Sequence, residues 1–172
     1  IGVLNGALAA LGRKAIVLCG CDLNASVGTA SSRTKVTMAD KQLWAHYRKP
    51  VGRCGLTRRN AAAALILDWV SSAGLCLANT FFHSPRGDGG NVGTWRHPAS
   101  REWFQLDYFI TRTDTRVRYV VDSGKYDRWS VLSDHAAVAV KLKVPCPSHL
   151  LGVGRCSNTG ARKTGDPGAD LR

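Results

Sequence analysis

Three acidic residues in short polar clusters are the part of this sequence whose residue types and spacing could support hydrolytic chemistry. Asp22 precedes Asn24 by two positions, Asp107 follows a Gln-Leu pair, and Asp134 directly precedes His135. A carboxylate within hydrogen-bond reach can take a proton from an attacking water, and an amide NH₂ can donate to a phosphoryl oxygen without adding charge. The same clusters are also typical of ordinary turns, because Asp and Asn close strands through local hydrogen bonds. The sequence therefore leaves a hydrolytic site and three structural turns as alternatives.

Apolar runs next to these residues predict the elements that would position them. Residues 1–11 are small and apolar and predict the last turns of a helix that ends at Gly12. The run at 14–19 predicts a buried strand ending at Gly20, which would place Asp22 at its C-terminal edge. Residues 25–58 lack a sustained period and predict a long basic excursion with little regular structure.

A helical stripe follows, and then a series of strands. Residues 60–73 predict a helix with Asn60 as N-cap and Gly74 as C-cap. The stripe consists of Ala62, Leu65, Ile66, Trp69, Val70 and Ala73. Strands are expected at 75–82, 94–97, 104–111, 117–122 and 136–144, with a turn at 87–90.

Composition indicates one basic domain with a tail. The chain has 172 residues and a formal net charge of +12, and such an excess of cations attracts polyanions, so nucleic acid is the leading partner. Basic surfaces also serve solubility, or reflect biased base composition. Residues 1–144 are expected to form the domain, and 145–172 a disordered basic tail poor in large apolar residues.

The cysteine content and the chain ends bear on location. Six cysteines are too few for a disulfide-dense scaffold, which favours a reducing, intracellular compartment, with the nucleus as a candidate, and zinc knuckle spacings are absent. The chain begins with Ile1 and shows neither a leader nor an apolar run near the roughly 20 residues that a membrane span requires. We expect an incomplete chain with no membrane contact.

Five short motifs follow one another along the chain: Gly20-Cys-Asp-Leu-Asn-Ala25, Asn79-Thr-Phe-Phe82, Thr94-Trp95, Gln105-Leu-Asp-Tyr-Phe109 and Ser133-Asp-His135. Read in this order, they make the chain similar to the endonuclease/exonuclease/phosphatase superfamily, which includes deoxyribonuclease I and the apurinic endonucleases. The section from Gly52 to Asn60, together with the following helix and Asn79-Thr-Phe81, most resembles the branch found in LINE-type retrotransposons. The resemblance covers residues 1 to about 144.

The resemblance implies a role for each residue of the polar clusters. Asp22 would be the general base and Asn24 its partner at the phosphate. Asp134 would support a Mg²⁺ or Mn²⁺ ion or the attacking water, His135 would face the scissile phosphate, and Asp107 would orient that histidine. A second carboxylate suits this task because it sets the tautomer of an imidazole and favours its protonated form.

Two departures from the family pattern lie in the first motif. Cys21 stands where the family usually has Gly, and Leu23 stands where it has Phe. The Leu is a mild apolar exchange. The cysteine adds a Cβ at a place where the backbone approach is expected to be close, so the geometry of the turn is open at this point.

Further residues are expected to contact nucleic acid. The resemblance places Trp95, Arg96 and Trp103 on the substrate side, where an aromatic face beside a guanidinium suits base stacking or phosphate binding. Arg58 and Arg59 are expected to contact phosphate. Packing at the core or rim is an equal alternative for the two tryptophans, and a solvated face is the alternative for the two arginines.

Four more polar residues carry weaker expectations. Asn79 and Thr80 follow a strand and would mainly cap it, although a substrate role stays open for them. His83 and His97 are expected to be surface histidines rather than metal ligands.

The fold implied by the resemblance is α/β (α+β), a partial four-layer α/β/β/α sandwich with mostly antiparallel sheets and its N-terminal half missing. That half would supply the principal metal-binding Glu, whereas Glu102, the one glutamate of this chain, does not match it. We therefore expect a fragment of a retroelement-type endonuclease, an enzyme that hydrolyses phosphodiesters of nucleic acid, with DNA as the expected partner. We expect the fragment to be inactive by itself. The alternatives are a non-catalytic nucleic-acid-binding remnant and a small-molecule phosphatase; no obligate protein partner is inferred.

Overall fold

The computed structural model describes residues 1–12, 15–29, 42, 47, 49–83, 92–126 and 133–144. These residues form a mixed α/β fold with three α-helices and small antiparallel sheets. The predicted turn at 87–90 and the predicted tail at 145–172 lie outside the described residues. The helices are α1 Gly2–Ala10, α2 Ala63–Ser72 and α3 Thr113–Tyr119; the strands are β1 Leu18–Asp22, β2 Leu75–Leu77, β3 Trp95–Arg96, β4 Trp103–Phe104, β5 Asp107–Arg112, β6 Val120–Tyr126 and β7 Ala137–Leu142.

A three-stranded antiparallel sheet is the base of the candidate site. Its strand order is β1-β5-β2, so β5 lies in the centre and pairs with both neighbours. Two further antiparallel pairs, β3 with β4 and β6 with β7, complete the strand pairing of the described residues. Sheet pairing sets one neighbour opposite another, and here it places Asp22 opposite Asp107.

Helix α2 supplies much of the hydrophobic core. Ile66, Leu67 and Val70 are buried, as the spacing of one helical face requires. Gly74 has a φ of +65° and terminates the helix in the left-handed conformation that glycine adopts without strain. The core also includes Ala25, Val27, Tyr47, Val51, Trp69, Leu75, Leu77, Tyr108 and Ile110.

The start and the stripe of this helix differ from the prediction. Asn60 is not the N-cap: the cap is Ala62, and the Asn60 side chain donates to the backbone oxygen of Asn24, 2.9 Å away. Leu65 is 64% exposed, and Leu67 takes the buried position instead. The tertiary contact with the loop after β1 thus competes for the side chain that would otherwise cap the helix.

The predicted basic excursion contains a buried segment that the composition did not reveal. Residues 25–29 follow β1 and are all buried, with Ala25 and Val27 fully so. Val27 N donates to the Tyr108 hydroxyl, which itself donates to Gln105 O, 2.7 Å away. Burial raises the pKa of this phenol, so it remains a neutral hydrogen-bonding group.

Several strand boundaries were also wrong. β1 occupies 18–22 rather than 14–19, and β2 ends at Leu77, where a 3₁₀ turn over Ala78–Thr80 follows. The single strand expected at 104–111 is two strands, β4 and β5. Residues 117–119, expected in a strand, belong to α3. Short apolar runs do not distinguish a strand from a helix turn, so tertiary pairing decides.

Helix α1 lies on the surface of the core. None of its residues is fully buried, although Leu4 and Leu8 pack against the core and Asn5 Oδ1 accepts a hydrogen bond of 2.7 Å from Trp69 Nε1. Among the described residues, no helix has the length and apolar character needed to cross a membrane.

Candidate active site

The ends of β1 and β5 bring two carboxylates together. Asp22 is the last residue of β1 and Asp107 is the first residue of β5, and the antiparallel register makes them direct cross-strand neighbours. Like charges in that position repel each other. A pair of this kind therefore favours a cation or a proton donor beside it.

His135 lies next to this pair. Its Nδ1 is 3.0 Å from Asp107 Oδ2 and 3.3 Å from Oδ1, which is the pairing that the resemblance implies. An isolated antiparallel bridge between His135 and Trp95 holds the backbone, and His135 N donates to Ser133 Oγ, 3.0 Å away. A carboxylate on Nδ1 places a proton there and leaves Nε2 as the second functional nitrogen of the ring.

Thr94 holds Asp107 in place, a role that sequence reasoning missed. Its hydroxyl oxygen accepts hydrogen bonds from the backbone N–H groups of Leu106 and Asp107, both at 3.0 Å, and the residue is fully buried. Thr94 O also accepts from Ala136 N at 2.6 Å. One buried threonine thereby connects the backbone before β5 with the segment that carries His135.

Asn79 fixes the next part of β5. Its Nδ2 donates to Asp107 O at 3.1 Å, and its Oδ1 accepts from Phe109 N at 3.3 Å. Because the side chain is 97% buried and both ends of the amide are engaged, Asn79 positions the strand and is not available to a substrate. Thr80 is likewise buried, and its hydroxyl donates to Leu77 O at 2.6 Å.

Asn24 closes a tight turn behind Asp22. Its backbone N–H donates to Asp22 Oδ1 at 2.8 Å, and its φ of +48° is in the left-handed region that Asn tolerates better than most residues. The turn leaves Asn24 exposed beside Asp22. Cys21 points away from this turn, since its Sγ contacts Tyr108 O at 3.9 Å, and burial raises the thiol pKa to about 12. Cys21 is therefore an inert packing group.

Asp134 is held by a tryptophan. Trp95 Nε1 donates to Asp134 Oδ2 at 2.8 Å, and Arg96 N donates to Asp134 O at 3.0 Å. The indole hydrogen bond is the main cause that holds the pKa of this exposed carboxyl below its usual value. Asp134 thus stays ionised, but one of its oxygens is already engaged.

The donor set available to a metal is small. Among the described residues, ligand atoms of Asp22, Asp107 and His135 lie within 4.8 Å of one another. Two carboxylates suit Mg²⁺ or Mn²⁺, which commonly retain several waters and take only one or two protein carboxylates. Asp134, the residue that the sequence assigned to the metal, is not in this group. The residues therefore fit a weakly held divalent ion.

A row of rings leads away from His135. The Trp95 ring centroid is 6.4 Å from that of His135 and 5.6 Å from that of Phe104, its register partner across β3 and β4. The Arg58 guanidinium lies 4.7 Å over the Phe104 ring. Aromatic faces beside a guanidinium are the surface that stacking bases use.

The opposite face of the same hairpin carries a second cation–aromatic group. Arg96 is paired with Trp103 in register, and its guanidinium is 5.8 Å from the indole centroid. The ammonium of Lys125 on β6 is 4.4 Å from the same ring. Both faces of the β3–β4 hairpin therefore carry an aromatic ring beside an exposed guanidinium, Arg58 on one face and Arg96 on the other, whereas Lys125 is buried.

The two arginines before α2 differ in their surroundings. Arg58 Nη1 is 2.8 Å from Glu102 Oε2 in an exposed ion pair, so a phosphate would have to compete with that carboxylate. Arg59 lies against Gly28, where its Cγ and Cδ leave no room for a Cβ. The side chain of Arg58 thus lies against the Phe104 ring, and that of Arg59 lies against the loop after β1.

Two further histidines among the described residues, His83 and His97, are outside the donor set. His97 Nδ1 accepts the N–H groups of Ala99 and Ser100, which assigns it to a turn. His83 Nδ1 is 3.7 Å from Cys54 Sγ. Within the described residues neither of them contributes to the group around Asp107.

Comparisons of the chain with protein-family models, with curated proteins and with solved structures found no match. The contacts described above therefore have to carry the functional argument by themselves.

Proposed function

We propose that Asp22, Asp107 and His135 form the catalytic part of a divalent-metal-dependent site that hydrolyses phosphodiesters of nucleic acid. The observation that carries the proposal is the convergence of two carboxylates and an imidazole, with His135 Nδ1 3.0 Å from Asp107 Oδ2. The combination of a base, an oriented imidazole and an amide fits hydrolysis of a charged ester better than it fits a structural turn.

The chemistry assigned to each residue follows from its position. Exposed Asp22 takes a proton from a water whose oxygen attacks phosphorus, and the ester P–O bond to the leaving oxygen breaks. The Asn24 amide donates to a phosphoryl oxygen. His135, oriented by Asp107, supplies a hydrogen bond or proton on the phosphate side. A bound Mg²⁺ or Mn²⁺ would supply charge neutralisation at the phosphate, with Asp134 as a further contributor to the ion or to its water.

Nucleic acid is the proposed substrate because of what surrounds the site. The ring row of Trp95 and Phe104 begins beside His135 and ends at the Arg58 guanidinium. The chain also carries a net charge of +12, which favours a polyanion through counterion release. We further propose that these sheets belong to a four-layer α/β/β/α sandwich of the endonuclease/exonuclease/phosphatase type.

The sequence led us to expect a chain that is inactive by itself, whereas the convergence of Asp22, Asp107 and His135 leads us to propose slow turnover. Two carboxylates hold a metal weakly, so the test is designed for slow turnover. We propose to incubate excess protein with supercoiled plasmid in millimolar Mn²⁺ or Mg²⁺ and to measure nicking on gels. The expected result is slow, metal-dependent nicking that Asp22→Asn or His135→Gln reduces by about a hundredfold or more, the usual effect of losing an acid–base group. Chelator should abolish it.

Matched controls separate the site from loss of charge or loss of fold. Asp114→Asn and His83→Gln make the same chemical changes outside the site and should leave nicking unchanged. If wild type and Asp22→Asn nick equally, or if neither nicks while both bind the plasmid, the hydrolase proposal fails. The second of these results would favour the alternative of a non-catalytic nucleic-acid-binding protein, which the basic and aromatic hairpin supports.

A further inference from the structure

A basic hollow lies between the loop at 49–54, Phe81 and the start of α3. Its volume is about 520 Å³, and its charged lining residues are Lys49, Arg53 and Arg116. No carboxylate lines it within the part of the chain that the structure describes. Three cations around one concavity raise the local concentration of anions there.

Arg116 is the most informative of these residues. Its guanidinium lies 4.0 Å over the ring of Phe81, which also lines the hollow. Its Nε is buried and has no hydrogen-bond partner among the described residues. Because this nitrogen has almost no accessible surface, a ligand in the hollow would be attracted by the charge of the guanidinium, and the Nε–H is a local reporter beside the hollow.

The other two cations are carried by a firmly held loop. Gly52 N donates to Thr80 Oγ1 at 2.8 Å, and Cys54 N donates to Thr80 O at 2.8 Å. Pro50 O accepts from Leu77 N, also at 2.8 Å. The backbone contact is so close that a Cβ on Gly52 would lie 2.0 Å from Thr80 O. The loop is therefore preorganised, which lowers the entropic cost of binding.

Lys49 and Arg53 are exposed, and the described residues provide no ion pair for either of them. Phosphate matches this arrangement because it accepts several charge-assisted hydrogen bonds at once and pairs well with guanidinium. A small uncharged ligand would leave all three cations without compensation.

We propose that the hollow formed by Lys49, Arg53, Phe81 and Arg116 binds a phosphate group, at a place separate from the candidate active site. No residue that lines the hollow belongs to the group of Asp22, Asp107 and His135, so the two places have separate sets of residues. The phosphate can be a free ion or part of a nucleic-acid backbone.

The test is a titration of the full chain with inorganic phosphate in chelator, followed by NMR at the Nε–H signal of Arg116 and by calorimetry. The expected result is a saturable shift of that signal. Arg53→Gln and Lys49→Gln should each weaken phosphate binding about tenfold, the usual value of one charge-assisted hydrogen bond. Arg118→Gln, which removes the same charge from an exposed position of α3 outside the hollow, should change affinity less than about twofold by screened attraction alone.

A second arm identifies the source of the phosphate. A short DNA duplex without terminal phosphates replaces the ion in the same titration, and a tenfold loss in Arg53→Gln for both probes assigns the hollow to the nucleic-acid backbone. Loss for inorganic phosphate alone assigns it to free phosphate. Arg116→Gln should abolish the binding of both inorganic phosphate and the DNA duplex, with circular dichroism as a check that this variant is folded. The proposal is overturned if the Arg116 signal does not respond to either probe, or if Arg118→Gln weakens binding as much as Arg53→Gln does. Cleavage plays no part in this test, so its result is independent of the proposed hydrolase activity.

Discussion

Replacement of Thr94 by valine tests the internal support of the site. Valine keeps the branched shape but removes the oxygen that accepts from Leu106 N and Asp107 N, both at 3.0 Å. A buried N–H that loses its acceptor costs about 1–3 kcal/mol. The buried Leu106 donor should lose about 2 kcal/mol and the partly buried Asp107 donor about 1 kcal/mol, or about 3 kcal/mol in total.

Thr94→Ser is the matched control. Serine retains the acceptor and loses one methyl group, which costs about 1 kcal/mol in a buried position. The valine variant should therefore be less stable than the serine variant by about 2 kcal/mol, although valine is the more hydrophobic residue. Urea unfolding followed by tryptophan fluorescence measures this difference, with the slope of the transition as a check that both variants unfold in the same way.

The same pair of variants reports on His135. If Thr94 positions Asp107, the valine variant should also disturb the contact between Asp107 and the Nδ1 proton, which ¹⁵N NMR of the imidazole detects directly. Thr94→Ser should leave that signal unchanged. A valine variant as stable as the serine variant, with an unchanged imidazole signal, would refute the assignment of Thr94 as the support of Asp107.

Two further outcomes follow from single contacts. Gly52→Ala should destabilise the chain by about 3 kcal/mol in urea unfolding, because its Cβ would overlap Thr80 O, a backbone atom that cannot move aside. The control is Gly6→Ala, which has open space around its Cβ in α1 and should stabilise the chain by about 1 kcal/mol. Trp95→Phe should raise the pKa of Asp134 towards its usual value in a ¹³C NMR titration, because the indole donor is the main cause of the lowering. A lowered pKa in the folded state contributes stability that is present above the pKa of the unfolded state and is lost as the pH falls through the pKa of the folded state. Wild type and Trp95→Phe should therefore become equally stable in acid. A difference in stability that persists in acid would show that the indole acts through packing instead.

The predictions from the sequence agree best with the structure where they depend on residues that are close together in the chain. The apolar periodicity identified α2, and the glycine at its end has the left-handed conformation expected of it. The carboxylate–imidazole contact of the site joins His135 to Asp107, twenty-eight positions away. That partner came from the resemblance and not from spacing, since no period connects the two residues.

The sequence by itself determined the residue types at the site, the basic character and the main helix, because these depend on composition and on neighbours within a few positions. The tertiary structure decided the rest. It brought Asp22 opposite Asp107 through the β1–β5 register and buried residues 25–29, which were expected to belong to a long basic excursion with little regular structure. It also placed residues 117–119, expected in a strand, in a helix. It also supplied Thr94 and Asn79, whose importance lies in hydrogen bonds to distant backbone groups. Such bonds have no signature in local sequence, because the donor and the acceptor become neighbours only when the chain has folded.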